Sequence, residues 1–372
     1  MATDALRAKE TTIEEPALDR AYRLLWLAVL FDFLAFGIGF EWDRRWHATH
    51  PFEDFFSPPH LFIYSMHLCA TLTLAYIAFT PELRRWFGDA FSVPALPFPV
   101  PGAIALAGAG FAVTALAGFF DAIWHTAFGL DETGWSFPHS MLGWGIFVAF
   151  VGITSCRLAL ARSIPIGLGS SLAFGFLIVA TSLERFAGPF WNNITPDVVR
   201  FIATIPVLAA EPAFQHTARI YLTYDVTRWN PLFVPLASIG VGLAFGLLRR
   251  LDPRPLLTLG LGALLTFTTT YVPVIVPALV LEIRGSRRDG RVTWLIAGLT
   301  FGIAAAIVWH GTVLGALAAA PLTLFGAWLA DRVWALMERP ERSGVIRFVT
   351  LAGVAAPMIT GVIDLALRFR TP

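Results

Sequence analysis

Long runs of apolar residues, separated by short polar segments, dominate the pattern of this chain. A helix needs about 20 mainly apolar residues to cross the hydrocarbon core of a bilayer. Runs of about that length cover residues 21–42, 60–79, 101–124, 139–157, 165–183, 198–218, 231–248, 255–282, 292–314, 315–337 and 345–367. They are too long and continuous to be the alternating strands of a membrane β-barrel. The pattern therefore predicts an all-α, polytopic transmembrane helical bundle with about ten or eleven spans.

The composition favours the same class of protein. Of the 372 residues, 56% are hydrophobic and only 14% are charged, and the mean hydropathy is +0.66. Soluble domains carry about a quarter charged residues, so a soluble domain of this composition would expose a large apolar surface. The net charge of +1 gives no reason to expect a nucleic-acid partner, and the lipid bilayer is the expected surrounding.

Charged segments predict how the chain is oriented in the membrane. Residues 1–20 are polar and carry both signs of charge, which predicts a cytoplasmic tail rather than a cleavable signal. The basic loops "PELRRW" (81–86) and "CRLALAR" (156–162) are expected on the cytoplasmic side. We therefore expect a multi-pass protein of the cell membrane, in a bacterial inner membrane.

Two segments complicate this simple alternation of spans. The basic stretches 249–254 and 284–291 both favour the cytoplasmic side, although they flank a single apolar run, 255–282. Pro273 and Pro277 would resolve the conflict by breaking that run into two half-helices that return to the same side. The proline-rich segment 88–101 is expected to be an extended connector.

The first four spans contain an internal duplication of a helix–loop–helix hairpin, with copies at 21–79 and 101–157. Each copy has an aspartate, a histidine four residues after it that follows a tryptophan, an acidic pair in the loop, and a Ser-x-Pro-His ending. The matched residues are Asp43, Trp46, His47, Glu53, Asp54 and His60 in the first copy, and Asp121, Trp124, His125, Asp131, Glu132 and His139 in the second. Residues 161–372 form additional transmembrane helices to which the sequence assigns no role.

The spacing in each copy suits a shared cation. Residues four apart lie on one face of a helix, and proline is favoured in the first turn of the helix that returns. One carboxylate and two imidazoles would then converge at the membrane boundary, a donor set that suits copper, iron or zinc. A purely structural hairpin and a proton relay are the alternatives. Other residues could contact the ligands without binding the ion themselves. The candidates are the acidic pairs of the loops and His67, which comes seven residues after His60.

This pattern resembles one of the membrane subunits of the copper membrane monooxygenases, the family of particulate methane and ammonia monooxygenases. In that family member Asp-x-x-Trp-His precedes an acid-rich loop ending Thr-Pro-Ser-His, and Asn-x-x-x-His precedes a Glu-Glu loop ending Pro-x-His. Here 12 residues separate His47 from His60, and 13 separate His125 from His139, as in the family. The resemblance covers residues 20–160. It departs from the family where Asp121 replaces asparagine, and in the long chain that follows the motifs.

The resemblance implies a copper-dependent membrane oxidoreductase with two sites near the outer face. Dioxygen would be activated at Asp121, His125 and His139, and a small apolar substrate would arrive through the lipid. Electrons would come from an external donor, since no flavin, haem or iron–sulfur motif is visible, and a homo- or hetero-oligomer is possible in this family. A non-enzymatic metal transporter, chaperone or sensor is the alternative from another class, and a scaffold with locked hairpins is a third.

Other ionisable residues lie within or beside the apolar runs. Charge inside a membrane is costly, so such groups normally pair within the bundle. They are Asp32, Glu184, Glu211, His216, His310 and Asp364.

Overall fold

The chain is built almost entirely from helices in the computed structural model. The structure describes residues 2–47, 50, 55–94, 96–128, 136–187, 203–210, 212, 215, 233–268, 272–284, 290–308 and 312–370. For some helical residues, including His47, His125, Glu184 and Asp364, it describes the backbone and not the side chain. Glu211, His216 and His310 lie outside the described residues.

The first half consists of two long helical hairpins joined by a short β-hairpin. A π-helical turn, Leu34–Gly39, connects the first two helices into one continuous rod. The elements are α1 (Ala2–Phe33), α2 (Phe40–His47), α3 (Pro58–Phe79), α4 (Pro81–Arg84), β1 (Ala90–Ser92), β2 (Pro99–Pro101), α5 (Gly102–Phe128) and α6 (Phe137–Leu160). The duplicated units predicted at 21–79 and 101–157 are thus each a pair of spanning helices.

The second half adds further helices around the second hairpin. They are α7 (Leu168–Ala187), α8 (Pro206–Ala209), α9 (Phe233–Leu251), α10 (Leu257–Thr268), α11 (Ile275–Arg284), α12 (Arg291–Val308), α13 (Val313–Glu338), α14 (Arg342–Val349) and α15 (Ala356–Arg370). A second π-helical turn, Thr350–Ala355, joins α14 to α15.

The architecture is that of a multi-pass membrane protein, as the apolar runs predict. In the described part of the chain, eight helices are long and apolar enough to cross a membrane, and Leu168–Leu183 is a shorter apolar helix. The sequence predicts ten or eleven spans. Three of the predicted runs account for the difference. The run 165–183 forms the shorter helix, the run 198–218 lies largely outside the described residues, and the run 255–282 is divided between two shorter helices.

Small residues allow the two helices of the second hairpin to lie close together. A Cβ atom placed on Gly110 would lie 2.1 Å from the backbone nitrogen of Ala149, and one on Gly152 would lie 2.1 Å from that of Ala107. Membrane helices lack a hydrophobic force that drives them together, so close backbone packing supplies much of their attraction. Helices α5 and α6 are therefore in direct backbone contact.

The run 255–282 forms a hairpin of two half-helices. Its second arm, α11, returns to the start of its first arm, α10, because the Glu282 carboxylate accepts hydrogen bonds from the backbone amides of Leu256 (3.1 Å) and Thr258 (3.2 Å). These amides belong to the first turn of α10, whose N–H groups have no partner within the helix. The predicted break at Pro273 is confirmed, since the turn Val272–Val274 separates the arms.

The basic loops lie together at one end of the bundle, which we call the basic end. Arg254, after α9, donates to the Ser171 hydroxyl at the start of α7 (2.9 Å). The carbonyl of Pro340, before α14, lies directly against Gly102 at the start of α5. The end of α11 lies on the same side, because Glu282 accepts a hydrogen bond from the backbone amide of Leu256. The described parts of the two basic stretches 249–254 and 284–291 therefore lie at the same end of the bundle, as two half-helices that return to the same side require.

Two further segments have regular structure. The polar residues at the start of the chain are helical, because α1 begins at Ala2 and runs without interruption into the first span. The connector 88–101 is extended as predicted, but it folds back on itself as an antiparallel pair in which Phe91 lies opposite Val100.

The second half encloses the second hairpin. Ser155 of α6 donates to the backbone carbonyl of Met337 at the end of α13 (2.6 Å). At the other end of α6, Ser140 hydrogen-bonds Thr360 of α15, and Phe137 lies against Gly361. Consequently α6 is the most buried of the eight described spans.

Candidate metal centre

The first hairpin brings Asp43 and His60 together at the end of the bundle opposite the basic end. Asp43 lies on α2, and His60 is in the first turn of α3, as the sequence predicts. Asp43 Oδ1 is 3.3 Å from His60 Nε2, and the two side chains are only 20% and 16% exposed. An acidic and an imidazole side chain from opposite sides of the loop therefore meet in a largely enclosed position.

Local sequence explains why His60 faces back toward α2. Ser57 is extended, and the helix starts at Pro58, where a missing N–H costs no intrahelical bond. The Ser57 carbonyl accepts the first intrahelical hydrogen bond from Leu61 (2.9 Å). His60 is consequently held in the opening turn, level with the end of the outgoing helix.

The second hairpin repeats the arrangement. Asp121 Oδ1, on α5, is 3.3 Å from His139 Nδ1 in the first turn of α6. Ser136 occupies the position of Ser57, and its hydroxyl also lies 3.2 Å from His139 Nδ1. The two copies differ in the nitrogen that faces the carboxylate, because the imidazole of His60 presents Nε2 and that of His139 presents Nδ1.

The separation of the paired atoms suits either a hydrogen bond or a common cation. An ion bound about 2.0–2.1 Å from two donors in tetrahedral geometry keeps those donors about 3.3 Å apart. Each hairpin thus offers an oxygen and a nitrogen at a spacing that a metal ion accepts without rearrangement. Neutral imidazole with carboxylate is a donor set for copper, zinc or iron rather than for magnesium or calcium.

For the third predicted ligand of each copy, the structure describes the position of the backbone and not that of the side chain. His47 and His125 lie one helical turn beyond Asp43 and Asp121, in α2 and α5, on the same helix faces. Among the side chains that the structure describes, no three or more His, Cys, Asp or Glu are grouped to hold a metal ion. His47 and His125 are not part of that set. The predicted acidic pairs, Glu53 with Asp54 and Asp131 with Glu132, lie outside the described residues.

His67 forms a buried contact with Asp32. It lies two turns along α3 from His60, about 10 Å deeper in the membrane. His67 Nδ1 is 3.4 Å from Asp32 Oδ1 on α1, and Nε2 is 3.2 Å from the carbonyl oxygen of Phe111 on α5. Asp32 has no exposed surface, and its other carboxylate oxygen has no hydrogen-bond partner in the described chain. His67 therefore connects the three helices α1, α3 and α5.

Two further side chains lie at the pairs and were not singled out in the sequence. Tyr64, four residues after His60, places its ring 5.8 Å from the imidazole of His60, nearly parallel to it. At the matching position after His139, Gly143 has no side chain, and the guanidinium of Arg185 from α7 occupies that space. The spacing of four residues would have identified Tyr64. Arg185 comes from a helix distant in sequence, and no sequence pattern predicts its position beside Gly143.

Comparison with known proteins adds no assignment. No family model matches the chain, and neither a curated protein nor a solved structure is significantly similar to it.

Proposed function

We propose that this chain is a copper-dependent membrane oxidoreductase with two related sites at one membrane face. The sites are Asp43, His47 and His60 in the first hairpin, and Asp121, His125 and His139 in the second. The observation that carries the proposal is the repeated geometry: in both hairpins a carboxylate oxygen and an imidazole nitrogen meet at 3.3 Å across the loop. Iron and zinc are the alternative ions for the same donors.

The protein residues would have distinct tasks. Copper, when bound, supplies the redox chemistry that activates dioxygen for attack on an apolar substrate. Asp121 would offset the positive charge of the ion, and His125 and His139 would orient it by their fixed helical positions. Ser136, next to His139 Nδ1, would help to set the orientation of that imidazole.

The second hairpin is the better candidate for the reacting site. Helices α7 and α15 contact it through Arg185 and Thr360, so it is enclosed by the C-terminal half of the chain. Enclosure excludes water from a site and limits side reactions there. A small apolar substrate would reach this site through the lipid, and an external donor would supply electrons. Residues 161–372 would then serve to complete the site, and the first hairpin would hold a structural or electron-relay ion.

Metal analysis of the purified protein tests the proposal. We expect up to two copper ions per chain in the wild type, loss of one in His47→Ala or His125→Ala, and loss of both in the double variant. His50→Ala is the matched control, because this exposed histidine stacks on Trp46 (4.0 Å) and is not part of the repeat. Absence of copper, iron and zinc from the wild-type protein would contradict the proposal. If the wild-type protein does contain copper, oxygen-dependent hydroxylation of small alkanes or ammonia by this copper-containing protein is the next measurement.

Transport or sensing of the metal is the second candidate function. It is favoured by the broken hairpin of α10 and α11, since interrupted helices are a common feature of ion-transporting membrane proteins. Uptake of copper or zinc into proteoliposomes that depends on Glu211 or Asp364, with no oxidation of substrate, would favour this function. If His60→Gln instead lowers stability equally with and without a chelator, the hairpins are only structural.

A further inference from the structure

An apolar cavity of about 510 Å³ lies at the basic end, far from the paired aspartates and histidines. Its walls come from α3, α5, α14 and the β-hairpin, with Leu74, Phe91, Ile104 and Val345 among the lining side chains. Phe111 closes its deep end. The volume is in the range of cavities that bind small organic molecules.

Arginine side chains stand at the mouth of this cavity. Arg342, in the first turn of α14, is the only charged residue among the described residues that line it. It is exposed, and no carboxylate in the described part of the chain pairs with it. Arg84 donates to the carbonyl of Ala78, another lining residue (3.2 Å), and its guanidinium lies over the ring of Phe98. An apolar interior with a cationic mouth is complementary to an amphiphile with an anionic head.

The position of the cavity identifies the class of amphiphile. The cavity opens where α3 ends and α14 begins, which are the boundaries of two predicted spans. The basic loops 81–88 and 249–254 lie at this end, and such loops accumulate on the side where anionic phospholipids are enriched. Free phosphate would gain nothing from the apolar walls. A zwitterionic lipid would bring a cationic group to the arginines together with its phosphate, so its net attraction would be weaker than that of an anionic lipid.

We propose that the cavity is a binding site for one anionic phospholipid. An acyl chain would occupy the space between the β-hairpin and helices α3, α5 and α14. The phosphate would accept hydrogen bonds from Arg342 and Arg84. Because these walls belong to both hairpins and to the last span, the bound lipid would tie the start of α14 to the first half of the chain. This site is independent of the metal proposal.

Gly108 offers a direct way to fill the cavity. It lines the space, and a Cβ atom placed on it would meet no other atom within 4 Å. Gly108→Leu therefore directs an apolar side chain into the cavity from a position where its Cβ atom has room, and leucine is also a better helix former than glycine. Gly260→Leu is the matched control, because a Cβ atom on Gly260 of α10 also meets nothing within 4 Å and this residue does not line the cavity.

Native mass spectrometry of the detergent-purified protein, titrated with phosphatidylglycerol or phosphatidylcholine of identical chains, tests the site. We expect tighter binding of phosphatidylglycerol, with the preference reduced about fivefold by Arg342→Gln or by Arg84→Gln. Gly108→Leu should abolish the high-affinity lipid, whereas Gly260→Leu should leave it unchanged. Arg332→Gln should also leave it unchanged, because the guanidinium of Arg332 lies over the ring of Trp328 on α13 and does not line the cavity. Inorganic phosphate at equal concentration should not compete.

Three outcomes would overturn the proposal. If Gly108→Leu retains the bound lipid, the lipid lies elsewhere. If both lipids bind equally and Arg342→Gln changes nothing, only non-specific annular lipid is present. If inorganic phosphate displaces the lipid, the arginines form a plain anion site. Thermal unfolding of each variant shows whether it is folded, and its copper content is expected to stay at the wild-type value.

Discussion

The proton arrangement of the Asp32–His67 pair follows from its partners. His67 Nε2 faces the Phe111 carbonyl, which only accepts hydrogen bonds, so this nitrogen carries a hydrogen. The contact between Nδ1 and Asp32 then holds one shared proton, either as carboxylic acid with neutral imidazole or as carboxylate with imidazolium. Both forms are neutral overall, which allows the pair to sit in the bundle where an isolated charge would be expensive.

Substitutions of Asp32 distinguish the two protonation forms of the pair. Asp32→Ala should lower the free energy of unfolding by about 1–3 kcal/mol, because Nδ1 is left buried without a partner. Asp32→Asn should stay within about 1 kcal/mol of wild type, since its amide N–H can donate to Nδ1 as the carboxylic acid does. Tryptophan fluorescence during thermal unfolding measures the effect, with Ser65→Ala on the exposed side of α3 as control. If Asp32→Asn is as damaging as Asp32→Ala, the pair is ionic.

Copper content gives this pair a second test. Because His67 lies about 10 Å from His60 along α3, neither Asp32 variant should change the metal bound to the first hairpin. Loss of copper from folded Asp32→Asn protein would instead make His67 part of that site.

At the scale of elements, a short clamp fixes the loop between α9 and α10. Burial alone would raise the pKa of Asp252, but hydrogen bonds from Arg254 and Ser171 outweigh it and hold the pKa below the ordinary value for an aspartate. Arg254 Nε donates to Asp252 Oδ2 (2.6 Å), and its Nη2 reaches Ser171 on α7. The clamp therefore attaches the start of the broken hairpin to the neighbouring helix α7.

The clamp predicts a pH-dependent contribution to stability. A carboxyl group with a lowered pKa in the folded state stabilises the fold above its unfolded value of about 3.9, and this contribution is lost as the pH falls through the folded value. Asp252→Asn should consequently destabilise the protein at pH 7, and the difference from wild type should shrink below about pH 4. Asp331→Asn, which removes an exposed ion pair with Arg250, is the control and should have little effect. An equal difference at pH 7 and pH 3.5 would contradict the assignment.

The elements that sequence predicts well are those specified by local chemistry. The helix starts at Pro58 and Phe137 follow from proline and the preceding serine, and they determine that His60 and His139 face the outgoing helices. The break near Pro273 follows from the same residue type. That the paired side chains hold a metal ion stays a prediction, since a distance of 3.3 Å between oxygen and nitrogen also suits a direct ion pair.

Contacts between distant segments are what the sequence does not reveal. Gly143 looks like a helix-packing residue until Arg185 is seen to fill the space beside it. Asp32 and His67 are 35 residues apart, and their contact depends on the angle between α1 and α3 rather than on any spacing. The return of the connector 88–101 as a β-hairpin likewise depends on the helices that flank it.

At the scale of the whole molecule, two ends with different chemistry are apparent. Asp43, His60, Asp121 and His139 lie at one end, and the basic loops lie at the other. The contacts of the last span give its direction between these two ends. Gly353, in the turn before α15, lies against Val113 in the middle of α5, and Gly361 of α15 lies against Phe137 at the start of α6. The last helix therefore runs from the basic end toward the paired residues.

Cysteine labelling tests this sidedness together with the broken hairpin. In a background where Cys69 and Cys156 are replaced by alanine, we expect Phe56→Cys to react with a membrane-impermeant maleimide in intact cells. Pro253→Cys and Gly290→Cys should react only after permeabilisation, because both exposed positions lie at the basic end and basic loops stay in the cytoplasm. Labelling of positions 253 and 290 from opposite sides would show that α10 and α11 cross the membrane as one span. Labelling of both from outside, with Phe56→Cys protected, would keep the hairpin but place the proposed metal sites on the cytoplasmic face, where copper is scarce and thiols compete for it.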